Sequence, residues 1–121
     1  MPTVVHFEIP FDELTRAKKF YEELFGWKIE PFEGKAEAEY LMIETTDNDG
    51  EPGVCGGMLP RQAPQHTITN YISVPSIEES VAKVQSLGGK VVMPKTPVPN
   101  HGYFAVCLDT ENNAFGLWED L

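Results

Sequence analysis

The chain reads as an α+β domain made of two βαβββ modules in tandem. Three observations lead there. Apolar residues alternate with period two and then switch to helical spacing that ends at a glycine. The same order of elements begins again about 63 residues later. The length, 121 residues, admits one ordinary domain and not two independent ones, so the repeated halves are expected to share a core.

Val4 to Phe11 places Val5, Phe7, Ile9 and Phe11 on one face and His6, Glu8 and Pro10 on the other, as in a half-buried strand. Asp12 is positioned to cap a helix in which Leu14, Ala17, Tyr21 and Leu24 form the apolar stripe, stopped by Gly26. Trp27–Phe32, Tyr40–Thr45 and Val54–Leu59 follow as strands. The segment TDNDGEPG, Thr46 to Gly53, is the clearest turn between them.

After the polar stretch Pro60–Gln65, a strand is expected over Ile68–Val74, with Ile68, Asn70, Ile72 and Val74 on one face. Ile77, Val81, Val84 and Leu87 then mark a helix ended by Gly88 and Gly89. Lys90–Met93, Tyr103–Leu108 and Ala114–Trp118 complete the second module. A shift of 63 residues superposes Leu14 on Ile77, Tyr21 on Val84, Leu24 on Leu87 and Gly26 on Gly89. The domain is expected to span residues 1–121, with modules at about 3–60 and 66–121.

Nineteen acidic against nine basic side chains give a formal charge of −10, which repels phosphate backbones and anionic surfaces, so nucleic acid and membrane are not expected partners. No apolar run reaches the ~20 residues a bilayer span needs, and the first residues lack a secretory pattern, so a cytoplasmic location is expected. Cys55 and Cys107 stand apart, in no zinc-site spacing, and are expected to be free thiols. Phosphate loops, nucleophile elbows and zinc-protease motifs are not found.

HFEIP followed by KKFYEELFGW resembles the first module of glyoxalase-like proteins, and ISVPSIEESVAKVQSLGGKVV resembles the second-module strand and helix of the same superfamily. GYFAVCLDTENNAFGLWE resembles the closing hairpin, with Asp109 to Asn113 where D-P-x-G-N is usual. The order and spacing of these stretches, covering nearly the whole chain, identify it as a member of the vicinal oxygen chelate superfamily of glyoxalase, bleomycin-resistance and extradiol dioxygenase-like proteins, as a divergent lactoylglutathione-lyase-like chain. The resemblance implies a cupped or barrel-like mixed sheet with helices outside and a cavity between modules. It also implies a homodimer.

Proteins of this superfamily commonly use a divalent metal held by four side chains. Carried over, the ligand positions fall on His6, on Gly56 or Gly57, on Thr69 and on Gly116. One donor of four remains, so neither a metal nor another cofactor is expected, and each metal-dependent activity of the superfamily is put in doubt. Strand alternation sends His6 and Glu8, with Thr69, Tyr71 and Trp118, to the concave face as candidate ligand-binding residues, and His6 and Glu8 are the catalytic candidates. His66 and His101 are candidate rim residues. The expected function is binding of a small organic metabolite, with lyase- or isomerase-type chemistry independent of the usual metal; the alternative is a non-catalytic protein that sequesters its ligand.

Overall fold

The computed structural model describes residues 1–35 and 39–121, and part of the loop after β2 lies outside the described residues. The chain forms two compact units, one of His6–Ile68 and one of Met1–Val5 with Thr69–Leu121. Each has a helix packed on one face of a four-stranded mixed sheet, the arrangement expected of an α+β glyoxalase-like fold.

In the unit His6–Ile68 the elements are β1 (Val4–Phe11), α1 (Leu14–Phe25), β2 (Lys28–Pro31), β3 (Leu41–Glu44) and β4 (Cys55–Pro60). The strand order is β2-β3-β4-β1, with β1 parallel to β4 and the other pairs antiparallel. Ile9, Ile29, Leu41, Ile43 and Met58 form the core, covered by Phe7, Phe11, Leu14, Ala17, Tyr21 and Trp27. The period-two face of β1 therefore meets the period-3.6 stripe of α1, which is why both patterns occur side by side in the sequence.

The other unit runs β5 (Thr69–Ser73), α2 (Ile77–Ser86), β6 (Lys90–Val98), β7 (Gly102–Leu108) and β8 (Ala114–Asp120). Its order, β5-β8-β7-β6, again has the first strand parallel to the last. Ile77, Ala105, Cys107 and Leu117 are buried here, with Val81 and Val84 of α2 packed on them. Each unit thus buries a cluster under its own helix.

Local expectations are corrected at three places. The N-cap of α1 is Glu13, whose carboxylate accepts from Arg16 N at 2.7 Å, while Asp12 instead accepts from Arg61 Nε at 2.9 Å. Leu24 and Leu87, the fourth apolar position of each stripe, are 58% and 67% exposed, and Leu87 lies past the end of α2, at its C-cap. Phe20 and Phe25 are also exposed. β6 continues to Val98 through two register irregularities, and Pro94 and Pro97 are tolerated because this strand lies at an edge and need not donate on both sides.

The glycine at the end of α1 behaves as expected. Gly26 has φ 71°, and its N–H reaches Glu22 O at 2.9 Å. Ser76 caps α2 by accepting from Glu79 N, and the Glu119 carboxylate accepts from Ile77 N at 2.8 Å. In the β7–β8 turn the usual glycine is replaced by Asn112 at φ 65°, a residue that tolerates the left-handed region, and Asp109 accepts from the backbone of Glu111 and Asn113.

Candidate functional site

With Phe7, Ile9 and Phe11 turned toward α1, β1 must present His6 and Glu8 on the opposite face. Both side chains end on Tyr40, the residue immediately before β3. Its hydroxyl donates to Glu8 Oε2 at 2.8 Å and lies 2.7 Å from His6 Nε2. A carboxylate only accepts, so the phenol proton belongs to Glu8 and the Tyr40 oxygen accepts from His6. Nε2 therefore carries the imidazole proton in this arrangement. Burial pushes the His6 pKa below its ordinary value, and the negative charge of Glu8 opposes this more weakly. His6 is consequently neutral at physiological pH.

The space for Tyr40 comes from β4. Gly57 pairs with Glu8 on one side and with Met42 on the other, so it shares their face of the sheet. A Cβ at Gly57 would fall inside the Tyr40 phenol. Gly56 faces the other way, against the ring of Phe7. Of the two glycines, it is Gly57 that lies on the face of His6 and Glu8.

In the other unit Thr69 and Tyr71 are buried, at 5% and 6% exposure. Tyr71 stands opposite Gly116 across the parallel β5–β8 pair, and a Cβ at Gly116 would fall inside its ring. The ring also meets Phe104 edge-on, with centroids 6.3 Å apart. Trp118 turns its indole N–H to Asp120 Oδ1 at 2.8 Å and lies over Gly102.

Of the expected site residues, His6 and Glu8 are joined in one network, and Tyr71 lies on the same strand as Thr69. Trp118 is half-buried and bound to its own strand neighbour. His66 Nδ1 accepts from Gln62 N at 3.1 Å, and His101 is exposed in the β6–β7 turn.

Tyr40 was not singled out in the sequence. Its signal was present: a hydroxyl-bearing aromatic at the start of a strand whose neighbour carries two consecutive glycines. What sequence alone does not convey is that β1 and β4 lie side by side, which puts Glu8 next to Gly57.

A shallow concavity of about 210 Å³ on the same unit is lined by Lys28, Glu30, Glu33, Met42 and Glu44 among others. Another, of about 510 Å³, lies between the first residues of the chain and Ser73, Val74 and Glu119.

The residues present do not fit a four-ligand metal centre. The resemblance would put its two carboxylates at Gly57 and Gly116, and tyrosine rings fill the space side chains there would need. Among the described residues no group of three His, Cys, Asp or Glu side chains is placed to hold a metal ion.

Fold and site together define a two-unit βαβββ protein of the glyoxalase type. The bleomycin resistance protein-like N-terminal family matches residues 3–46. A glyoxylase-like domain-containing protein from Didymella fabae is 30% identical over 115 residues, covering 91% of this chain and 88% of its own. The chain belongs to this glyoxalase/bleomycin-resistance-like family of the vicinal oxygen chelate superfamily. "Putative glyoxylase CFP32" of Mycobacterium bovis is 34% identical over 108 residues, covering 85% of this chain and 40% of that protein. The chain thus spans about two fifths of the length of that relative.

Among solved structures, a glyoxalase/bleomycin resistance protein/dioxygenase superfamily member from Vibrio splendidus has a TM-score of 0.67 at 14% identity, covering 99% of this chain and 100% of that one. Streptomyces coelicolor methylmalonyl-CoA epimerase, in complex with 2-nitronate-propionyl-CoA, has a TM-score of 0.65 at 13% identity, covering 97% and 96%. At these identities the likeness is one of fold alone.

Proposed function

We propose that this domain binds a small organic metabolite on the sheet face that carries His6, Tyr40 and Glu8, without the metal centre common in its superfamily. The observation that carries the reading is the hydrogen-bonded network itself: three polar side chains meet at one hydroxyl on the face turned away from the core. A neutral imidazole and a carboxylate held by one phenol are groups that accept and return protons, which is what lyase- or isomerase-type chemistry requires. The face bearing Thr69, Tyr71 and Trp118 is a second candidate surface, to be tested separately.

A second reading is sequestration without turnover. It is favoured by the bleomycin resistance protein-like match, whose residues 3–46 include His6, Glu8 and Tyr40. We also infer a homodimer, a cytoplasmic location and no nucleic-acid partner. The acidic balance supports the last of these. No helix among the described residues is long and apolar enough to cross a membrane.

The test is an NMR titration of the isotope-labelled protein with a panel of small carbonyl and aromatic compounds, followed by product analysis of every binder. Saturable shifts at His6, Glu8 and Tyr40 are expected. Product formation selects the enzymatic reading, and binding without product selects sequestration. Shifts confined to other parts of the chain would sink the assignment of this face. With the methylglyoxal–glutathione hemithioacetal and added nickel, zinc or manganese, no metal-dependent turnover is expected; robust turnover would overturn the metal-free reading.

A further inference from the structure

The superfamily's metal is replaced here by something more specific than lost ligands. A carboxylate at position 57 and the phenol of Tyr40 cannot coexist, since even a Cβ at Gly57 would overlap the ring. The second unit reaches the same result by another route. Tyr40 approaches Gly57 from the segment before β3, whereas Tyr71 approaches Gly116 from directly across on β5. Two glycines at two expected carboxylate positions are thus each covered by a tyrosine, from non-equivalent places in the two units.

The hydrogen bonding in the first unit adds a chemical argument. A histidine ligates through an unprotonated nitrogen, but Nε2 of His6 holds its proton in order to donate to Tyr40. Glu8 Oε2 accepts the Tyr40 proton and is engaged as well. A divalent ion at this place would have to displace the phenol from both partners. Among the described residues no third His, Cys, Asp or Glu is placed to join that imidazole and carboxylate, and two are fewer donors than such ions take in protein sites.

We propose that Tyr40 is a positioning residue socketed by Gly57, which takes over the organising place of the metal in this unit: its hydroxyl fixes His6 and Glu8 relative to each other and keeps a divalent cation out. This deepens the proposed function, since it says what holds the binding face in shape. Its test reads the network and the metal directly, so it can fail while ligand binding at this face stands.

Three measurements test it. First, the ring-nitrogen NMR signals of His6 should report the Nε2-protonated tautomer in the wild type and move away from it in Tyr40→Phe, which keeps the ring and removes only the hydroxyl. Second, Gly57→Ala should lower the folding constant about tenfold or more in the wild-type background, the cost of forcing a rigid neighbour aside, and far less in the Tyr40→Ala background. Third, the wild type dialysed with nickel, zinc or manganese and then against buffer should retain no stoichiometric metal. An unchanged His6 spectrum in Tyr40→Phe would overturn the proposal. So would equal effects of Gly57→Ala in both backgrounds, or one equivalent of retained metal that His6→Ala removes. Should Gly57→Ala fail to fold, the Tyr40→Phe spectrum and the metal content still decide.

Discussion

The ring of Tyr71 occupies the space that a side chain on Gly116 would need, directly across the parallel β5–β8 pair. The ring is buried and is met edge-on by Phe104, so it has little room to retreat. Gly116→Ala should therefore destabilise the protein by about 1–3 kcal/mol, the usual cost of overpacking. Urea unfolding of Gly116→Ala, alone and combined with Tyr71→Ala, checks this. The single substitution should cost clearly more than it does in the Tyr71→Ala background, and an unaffected midpoint would show that the ring moves freely.

The lowered pKa of His6 makes a prediction about pH. Because burial favours the neutral form, the unfolded chain, with a His pKa near 6.5, binds more protons than the folded one just below that value. The stabilisation is fully present above about pH 6.5 and is lost as pH falls through the lower folded value. Stability measured between pH 7.5 and pH 5 should fall toward acid, and His6→Gln should flatten that fall. An NMR titration giving His6 a pKa above 6.5 would reverse the sign and contradict the burial argument.

The outer surface of α1 exposes Phe20, Leu24 and Phe25 together. Such an apolar cluster commonly marks an interface. A second copy of this chain is the occupant that the homodimer inferred above would place there. Sedimentation equilibrium should show a dimer that Phe20→Lys with Leu24→Lys converts to monomer. A wild-type monomer at ~100 µM, far above the dissociation constant of a stable interface, would refute the dimer, and a dimer indifferent to both substitutions would move the interface elsewhere.

Much of the architecture was legible in the chain because it rests on local, periodic signals. The alternation of Phe7, Ile9 and Phe11 told which face of β1 meets the helix and which carries His6 and Glu8, although Val5, in step with them, is exposed. Gly26 and the Gly88–Gly89 pair marked the helix ends, and the coincidence of apolar positions at an offset of 63 exposed the repeat. Boundaries were less legible. The cap moved from Asp12 to Glu13, because Asp12 is drawn off by Arg61, a partner 49 residues away. Leu24 and Leu87 matched the stripe by spacing, yet both are exposed, and Leu87 falls past the end of α2.

The candidate site divides in the same way. That His6 and Glu8 share a face, and that glycines stand at two expected carboxylate positions, followed from the sequence alone. That the vacated space is filled did not, and neither did which of Gly56 and Gly57 lies on the face of His6 and Glu8. Both depend on strand pairing: β1 beside β4 sets Glu8 against Gly57, and β3 on the other side of β4 brings Tyr40 over it. Period-two alternation fixes a residue's face from its neighbours in the chain. Which side chain occupies the space above a glycine is decided only when strands tens of residues apart pair in one register, because steric exclusion acts between residues close in space whatever their distance in sequence.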